Sequence, residues 1–194
     1  MWAQVNVSLA RNAACEPMYF MSQIQDITDR KQIEERLQDM ARRDHLTGLY
    51  NRRGFEEELE RELANARRFE RRGALLMLDL DGFKAVNDTL GHRAGDEMLS
   101  GIARMLEEQL RKTDILGRLG GDEFAVVLTE VSREHAGTVV ATLEDAFARE
   151  AQHGQRVHTT ASIGLVMFDG ELGVHDLLAQ ADEAMYEQKR AAQV

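Results

Sequence analysis

Proline and cysteine are nearly missing from this chain: 194 residues hold one of each, Pro17 and Cys15. A single cysteine excludes an intramolecular disulfide and fits a reducing compartment. No low-complexity linker and no internal repeat divides the sequence. No apolar run approaches the length of a membrane span, and no signal peptide opens the chain. The expected setting is therefore the cytoplasm, with no membrane partner. Positive charge is short as well. Lys and Arg number 24 against 34 Asp and Glu, a formal net charge of −10. A sequence-blind nucleic-acid binder needs a basic footprint, so no nucleic-acid partner is expected. A phosphate-bearing ligand would have to be met by locally recruited cations, most simply metal ions. What remains, 43% hydrophobic and 30% charged residues, suits one globular domain with a core and an appendage.

The appendage reads first. WAQVNVSL at 2–9 alternates strictly, with Ala3, Val5, Val7 and Leu9 on one face. A turn-like ARNAACEP follows, and MYFMSQIQ reads as a second strand. An isolated hairpin is marginal in water, so this looks like the end of something whose beginning is absent. From 26 to 43 the spacing turns helical, with Ile33, Leu37 and Met40 at a 4–3 step. That suits a coiled-coil seam or a helix packed on its own domain. From 44 helices and strands interleave: a helix at 55–72, a buried strand ALLMLDL at 74–80, and helical spacing from Met98 to Leu110. The hairpin RLGGDEFAVVL at 118–128 comes next, then a helix near 132–151, a strand at 158–168 and a last helix through Val174 and Met185. This order predicts an α+β fold, one sheet layered with helices.

The carboxylates carry the chemistry. Asp79 and Asp81 share one face of the buried strand. If the hairpin carrying Gly120, Gly121, Asp122 and Glu123 pairs beside it, up to four carboxylates share one sheet edge. Negative charges ~4 Å apart repel by several kcal/mol at an effective dielectric near 20. Hard divalent cations require such a set, because Mg²⁺ is held by carboxylates, water and phosphates. Spacing alone leaves a metal site and a merely soluble turn both open.

GGDEF at 120–124 resembles the signature of the GGDEF family of diguanylate cyclases. So do DHLTGLYNRRGF at 44–55, LDLDGFKAVNDTLGHRAGDEML at 78–99, ASIGL at 161–165 and ADEAMYEQK at 181–189. The resemblance implies a central, mostly antiparallel sheet flanked by helices, similar to the palm of nucleotide cyclases and polymerases. It implies condensation of two GTP into cyclic di-GMP with release of two pyrophosphates, across a homodimer. Two Mg²⁺ or Mn²⁺ ions per active site would be held by Asp79, the Leu80 carbonyl and Asp122. Glu123 would assist metal binding or take the proton of the attacking ribose hydroxyl. Asn87 and Asp96 match the guanine-reading positions, although Asp96 after Gly95 also reads as a helix cap. Phe83, Lys84, Gly120, Gly121 and Lys189 would meet the triphosphate. Without the family, Lys189 is a solvated charge at a helix end.

Arg111 and Asp114 resemble the RxxD site at which product binds and inhibits; a surface ion pair at i and i+3 is the plain alternative. Two positions depart from the family. Gln193 stands where a triphosphate-contacting arginine is usual, and Thr142 where a helper arginine of the inhibitory site falls. The hairpin and QDITDRKQIEERL resemble the last strands and exit linker of a PAS domain. The resulting division is 1–25 PAS-like hairpin, 26–43 linker helix and 44–194 GGDEF domain. Two rivals stand beside the enzyme: a degenerate domain that binds cyclic di-GMP or GTP without turnover, and a dimerisation or relay module using the 26–43 helix.

Overall fold

Alternation at period two and at period 3.6 accounts for nearly every element. The structure, a computed structural model, describes residues 1–152 and 160–192, with side chains described for all of these except 34–40, 151, 152 and 192. The chain forms two compact units, Met1–Ala41 and Arg42–Val194.

In the first unit β1 (Ala3–Arg11) pairs antiparallel with β2 (Pro17–Asp26), with Val5 opposite Ile24 and Leu9 opposite Phe20. That register gathers Val5, Val7, Leu9, Phe20 and Ile24 on one face, all of them exposed. Helix α1 (Thr28–Arg42) follows; the Asp26 carboxylate accepts from the Thr28 N–H at 2.9 Å. Ile33 is exposed, and the side chains of Leu37 and Met40, the rest of the expected seam, lie outside the described residues.

The second unit is built on a five-stranded sheet in the order β3-β5-β6-β4-β7. Its strands are β3 (Tyr50–Asn51), β4 (Gly73–Leu80), β5 (Ile115–Gly120), β6 (Glu123–Leu128) and β7 (Ala161–Phe168). All neighbours are antiparallel except β3 with β5. GALLMLDL reads as a continuous apolar run because β4 lies between β6 and β7 with both faces covered. The expected strand from 158 begins at Ala161, and positions 158–159 lie outside the described residues.

Two cores divide the faces. Leu76, Leu78, Leu80, Phe124 and Val126 pack against α4 (His92–Gln109) and α5 (Arg133–Gln152) through Met98, Ile102, Leu106, Leu143 and Phe147. Leu75, Met77, Ala125 and Val127 pack on the other face against α2 (Arg52–Phe69) and α6 (Val174–Ala192) through Phe55, Leu59, Leu177 and Met185. Helix α2 starts three residues before the expected Phe55, because the Asn51 side chain caps it by accepting from the Gly54 N–H at 2.9 Å. Between β4 and α4 lies α3 (Phe83–Leu90), which the helical spacing did not reveal.

Candidate active site

Register places the carboxylates. Asp79 sits directly opposite Glu123 on β6, and the ladder runs one step further, the Leu80 N–H donating to the Asp122 carbonyl at 3.2 Å. The cluster therefore lies at the end of the central strand pair rather than along a lateral sheet edge, which corrects the expectation from sequence. Gly121 and Asp122 form the turn between β5 and β6; Gly121 has φ +51 and Gly120 φ +154, conformations that side chains oppose. A bulge at Leu119 shifts the register between Arg118 and Gly120, twisting the hairpin tip.

Like charges directly opposite each other destabilise a sheet, and each member of the pair has its own cation. Lys189 of α6 donates to Asp79 Oδ1 at 2.5 Å, with side chains 32% and 16% exposed. Arg52, the first residue of α2, reaches Glu123 Oε2 at 3.3 Å and the Leu119 carbonyl at 3.3 Å. The Asp79 hydrogen bond holds the Lys189 ammonium above its ordinary value; burial opposes this, and the fields of Asp79, Asp81 and Asp122 add to it. Lys189 is thus no solvated helix-end charge but a cation in a field of three aspartates. Asp81, on the same face as Asp79, is satisfied by hydroxyls of the β7 side, Thr160 Oγ1 at 2.9 Å and Ser162 Oγ at 3.1 Å. Among the described residues no three His, Cys, Asp or Glu side chains stand ready-arranged as a ligand set. The donor chemistry nonetheless fits a hard cation: two carboxylates and a strand-end carbonyl around a point that already attracts an ammonium.

Next to the cluster, α3 begins at Phe83. Its N-cap is Gly82, φ +78, which has no side chain to occupy the first-turn N–H groups of Phe83 and Lys84. Uncapped amides at a helix start attract anions. Phe83 packs against the core, and Lys84 is exposed.

Asn87 of α3 lies against Gly95 of α4; a Cβ at Gly95 would come within 2.1 Å of Asn87 Oδ1. This close approach sets Asn87 beside Asp96, the next residue. Asp96 is not a cap: α4 starts at His92, so Asp96 is a turn inside the helix, its exposed carboxylate on the wall of a cleft of about 330 Å³. Leu46 and Ser100 share that wall.

Among the described residues Arg111 and Asp114 do not form the side-chain ion pair that was the plain alternative to a product site. The Asp114 carboxylate accepts backbone N–H bonds from Arg111 at 3.0 Å and Thr129 at 3.4 Å, fastening the turn before β5. The Arg111 guanidinium lies 3.2 Å from His135 Nε2. Arg111, Lys112 and Asp114 line a cleft of about 250 Å³ with Arg43, whose guanidinium stacks 4.4 Å from the Tyr50 ring centre. The Thr142 hydroxyl donates to the Thr138 carbonyl of its own helix at 2.9 Å. Gln193 lies outside the described residues.

Three partners escaped the sequence reading. Arg118 of β5 grips the hairpin through the Gly121 carbonyl at 2.8 Å and Asp44 Oδ1 at 3.1 Å, with both side chains largely buried. Burial pushes the Asp44 carboxyl up, but hydrogen bonds from Thr47 and the Arg118 guanidinium prevail and hold it below the usual carboxylate range. Gln188 accepts from the Ile163 N–H on the open side of β7 and donates to Glu144 at 3.2 Å, tying α6 and α5 round that strand. Arg52 is the third.

A mostly antiparallel sheet with carboxylates at one end and helices on both faces defines a palm-like α+β domain. Within that class the chain belongs to the GGDEF family: the profile described as diguanylate cyclase, GGDEF domain, matches residues 41–193. That match begins at residue 41 and gives the 1–25 hairpin no support as part of a PAS domain. The chain is 38% identical over 160 residues to the probable diguanylate cyclase DgcC of Escherichia coli, covering 81% of this chain and 43% of that protein. It is 38% identical over 168 residues to the diguanylate cyclase DgcP of Pseudomonas aeruginosa, covering 84% and 25%. It therefore spans less than half the length of these relatives. Among solved structures it resembles the coiled coil and GGDEF domain of DgcB from Caulobacter crescentus in complex with c-di-GMP, with TM-score 0.79, 26% identity, and 85% and 89% of the two chains covered. Diguanylate cyclase SiaD of Pseudomonas aeruginosa, solved with its activator SiaC, matches with TM-score 0.72 and 37% identity over 85% and 66%.

Proposed function

We propose that residues 44–194 form a diguanylate cyclase that condenses two GTP into cyclic di-GMP and releases two pyrophosphates. The observation that carries this reading is the meeting of Asp79, Asp122 and Glu123 at one strand end, with the Lys189 ammonium held in the field of Asp79, Asp81 and Asp122. The names of the relatives support it.

Asp79, the Leu80 carbonyl and Asp122 would hold two Mg²⁺ or Mn²⁺ ions, which when bound stabilise the attacking and leaving oxygens of an in-line displacement. Glu123 would accept the proton of the attacking 3′-hydroxyl, with Arg52 holding its carboxylate in position at 3.3 Å. The uncapped amides of Phe83 and Lys84 receive phosphate oxygens, and Lys189 supplies a positive charge at the neighbouring carboxylates. Gly120 and Gly121 let the triphosphate lie close against the hairpin backbone. Asp96 accepts from N1–H and the 2-amino group of guanine, and Asn87 adds an amide at its side; adenine lacks that donor pair.

Each domain offers one guanine site, and each 3′-hydroxyl must attack the other nucleotide's α-phosphate. A two-fold homodimer is the arrangement that brings two such sites face to face. Cyclic di-GMP would act back at Arg111 and Asp114 as product inhibitor. GTP as substrate places the reaction in the cytoplasm, and no described helix is long and apolar enough to cross a membrane.

Incubation of purified protein with GTP and Mg²⁺, with products resolved by chromatography, tests the reading. Cyclic di-GMP and pyrophosphate in a 1:2 ratio are expected. Cyclic di-GMP binding without any turnover would replace the enzyme by a product-binding module.

A further inference from the structure

The cleft beside Asp96 holds a donor that the guanine reading above leaves unused. Leu46, Arg93, Asp96, Ser100 and Arg104 line it, with Glu97 at its rim. Asp96, Ser100 and Arg104 recur at every fourth position of α4 and so share one helix face. Of the two guanidinium groups, that of Arg93 is taken by Glu97 at 3.2 Å. Arg104 bonds through Nε to the Ser100 carbonyl at 3.3 Å, and among the described residues no carboxylate pairs with it. Its fork is the open one.

We propose that Arg104 is a specificity-determining residue for guanine, donating to O6 and N7 while Asp96 accepts from N1–H and the 2-amino group. The proposal rests on the GTP reading and deepens it. Guanine presents donors on one side of its six-membered ring and two acceptors, O6 and N7, on the other. An arginine fork fits that acceptor pair better than any other side chain. A carboxylate and a guanidinium on one helix face offer the matching pattern. Their Cα atoms are two turns apart, about 12 Å along the axis. The long arginine leans back toward the helix N-terminus, where Asp96 is, leaving room for one purine between them. Adenine would turn its 6-amino donor toward the guanidinium, so the same residue that favours guanine opposes its competitor.

The test uses 3′-deoxy nucleotides, which lack the attacking hydroxyl and so report binding alone. Wild type, Arg104→Ala and Arg104→Lys are titrated calorimetrically in Mg²⁺ with 3′-deoxy-GTP, its 7-deaza form and 3′-deoxy-ATP. Wild type is expected to bind the 7-deaza form about tenfold more weakly, having lost one charge-assisted bond. Arg104→Ala should bind the guanine pair weakly and equally, and Arg104→Lys should fall between, keeping charge without the fork. Arg104 is exposed, so both variants retain the fold, as their melting temperatures will confirm. A wild type indifferent to N7, or an alanine variant that still discriminates, overturns the role of Arg104 while a preference for GTP over ATP keeps the substrate reading. Loss of that preference in wild type overturns both.

Discussion

Lys189 donates to Asp79 across 2.5 Å in space and 110 residues of sequence. The bond sets an ammonium where the chemistry of the carboxylates calls for a metal ion, so the two cations answer the same field. Replacing Lys189 by Met should lower metal-free stability by about 1–2 kcal/mol, the low end for a charged hydrogen bond at a partly exposed site. Mg²⁺ should then raise the melting temperature of the variant more than that of wild type. The raised lysine value means this contribution is complete below 10.5 and is lost only as pH climbs through the folded value, so neutral buffers read it in full. Equal Mg²⁺ shifts in the two proteins would separate Lys189 from the metal site.

Asp79→Ala and Asp122→Ala should each cut cyclic di-GMP formation by about two orders of magnitude or more, the scale seen when an electrostatic stabiliser is lost. Both variants should melt at or above the wild-type temperature in metal-free buffer if strand-end repulsion outweighs the Lys189 bond. Full activity in both would end the metal assignment.

Asp44 and Arg118 give a pH dependence. The folded Asp44 carboxyl lies below its ordinary 3.8, so its contribution is present above that value and fades as pH falls through the folded one. Asp44→Asn should cost about 1–3 kcal/mol at neutral pH, because Arg118 loses its charged partner in a largely buried pair. The gap between wild type and variant should close in denaturant melts below about pH 4. A gap that persists undiminished in acid would mean that the amide suffices and the charge is idle.

Product recognition is expected to run through Arg111. Arg111→Ala should weaken cyclic di-GMP binding roughly ten- to a hundredfold by titration calorimetry, the loss of one charge-assisted contact. Asp114→Ala should in addition lower stability, because its carboxylate fastens the N–H groups of Arg111 and Thr129. Unchanged affinity in the arginine variant would leave RKTD as a turn and nothing more.

How far the sequence could be read depends on distance along the chain. ALLMLDL announced β4 because an uninterrupted apolar run at strand length has few other uses, and the glycine pair announced the hairpin turn. Helix α3 stayed hidden: with eight residues and Val86 as its one buried position, it is shorter than the window in which a helical period shows. Asp96 was misjudged as an alternative cap because Gly91, not Gly95, breaks the helix. The partners of the site carry no local signal at all. Arg118 meets Asp44 from 74 residues away and Arg52 meets Glu123 from 71, so only the closed sheet brings them together. Spacing could suggest that carboxylates converge, but not which helix would bring each one its counter-charge.

The sheet order has a kinetic corollary. Asp79 faces Glu123 across β4 and β6 with Asp122 one step beyond, yet the cation that answers the aspartates is carried on α6, far downstream of both strands. A chain emerging N-terminus first therefore makes its acidic strand ends well before α6 exists. Closing those long loops is slow compared with forming helices. The nascent domain passes through an interval in which the paired strands exist without their lysine, and free Mg²⁺ is the cation at hand to bridge it. The divalent ion proposed to serve the reaction would then also serve as a folding aid, with refolding of the metal-free chain slowest in the absence of salt.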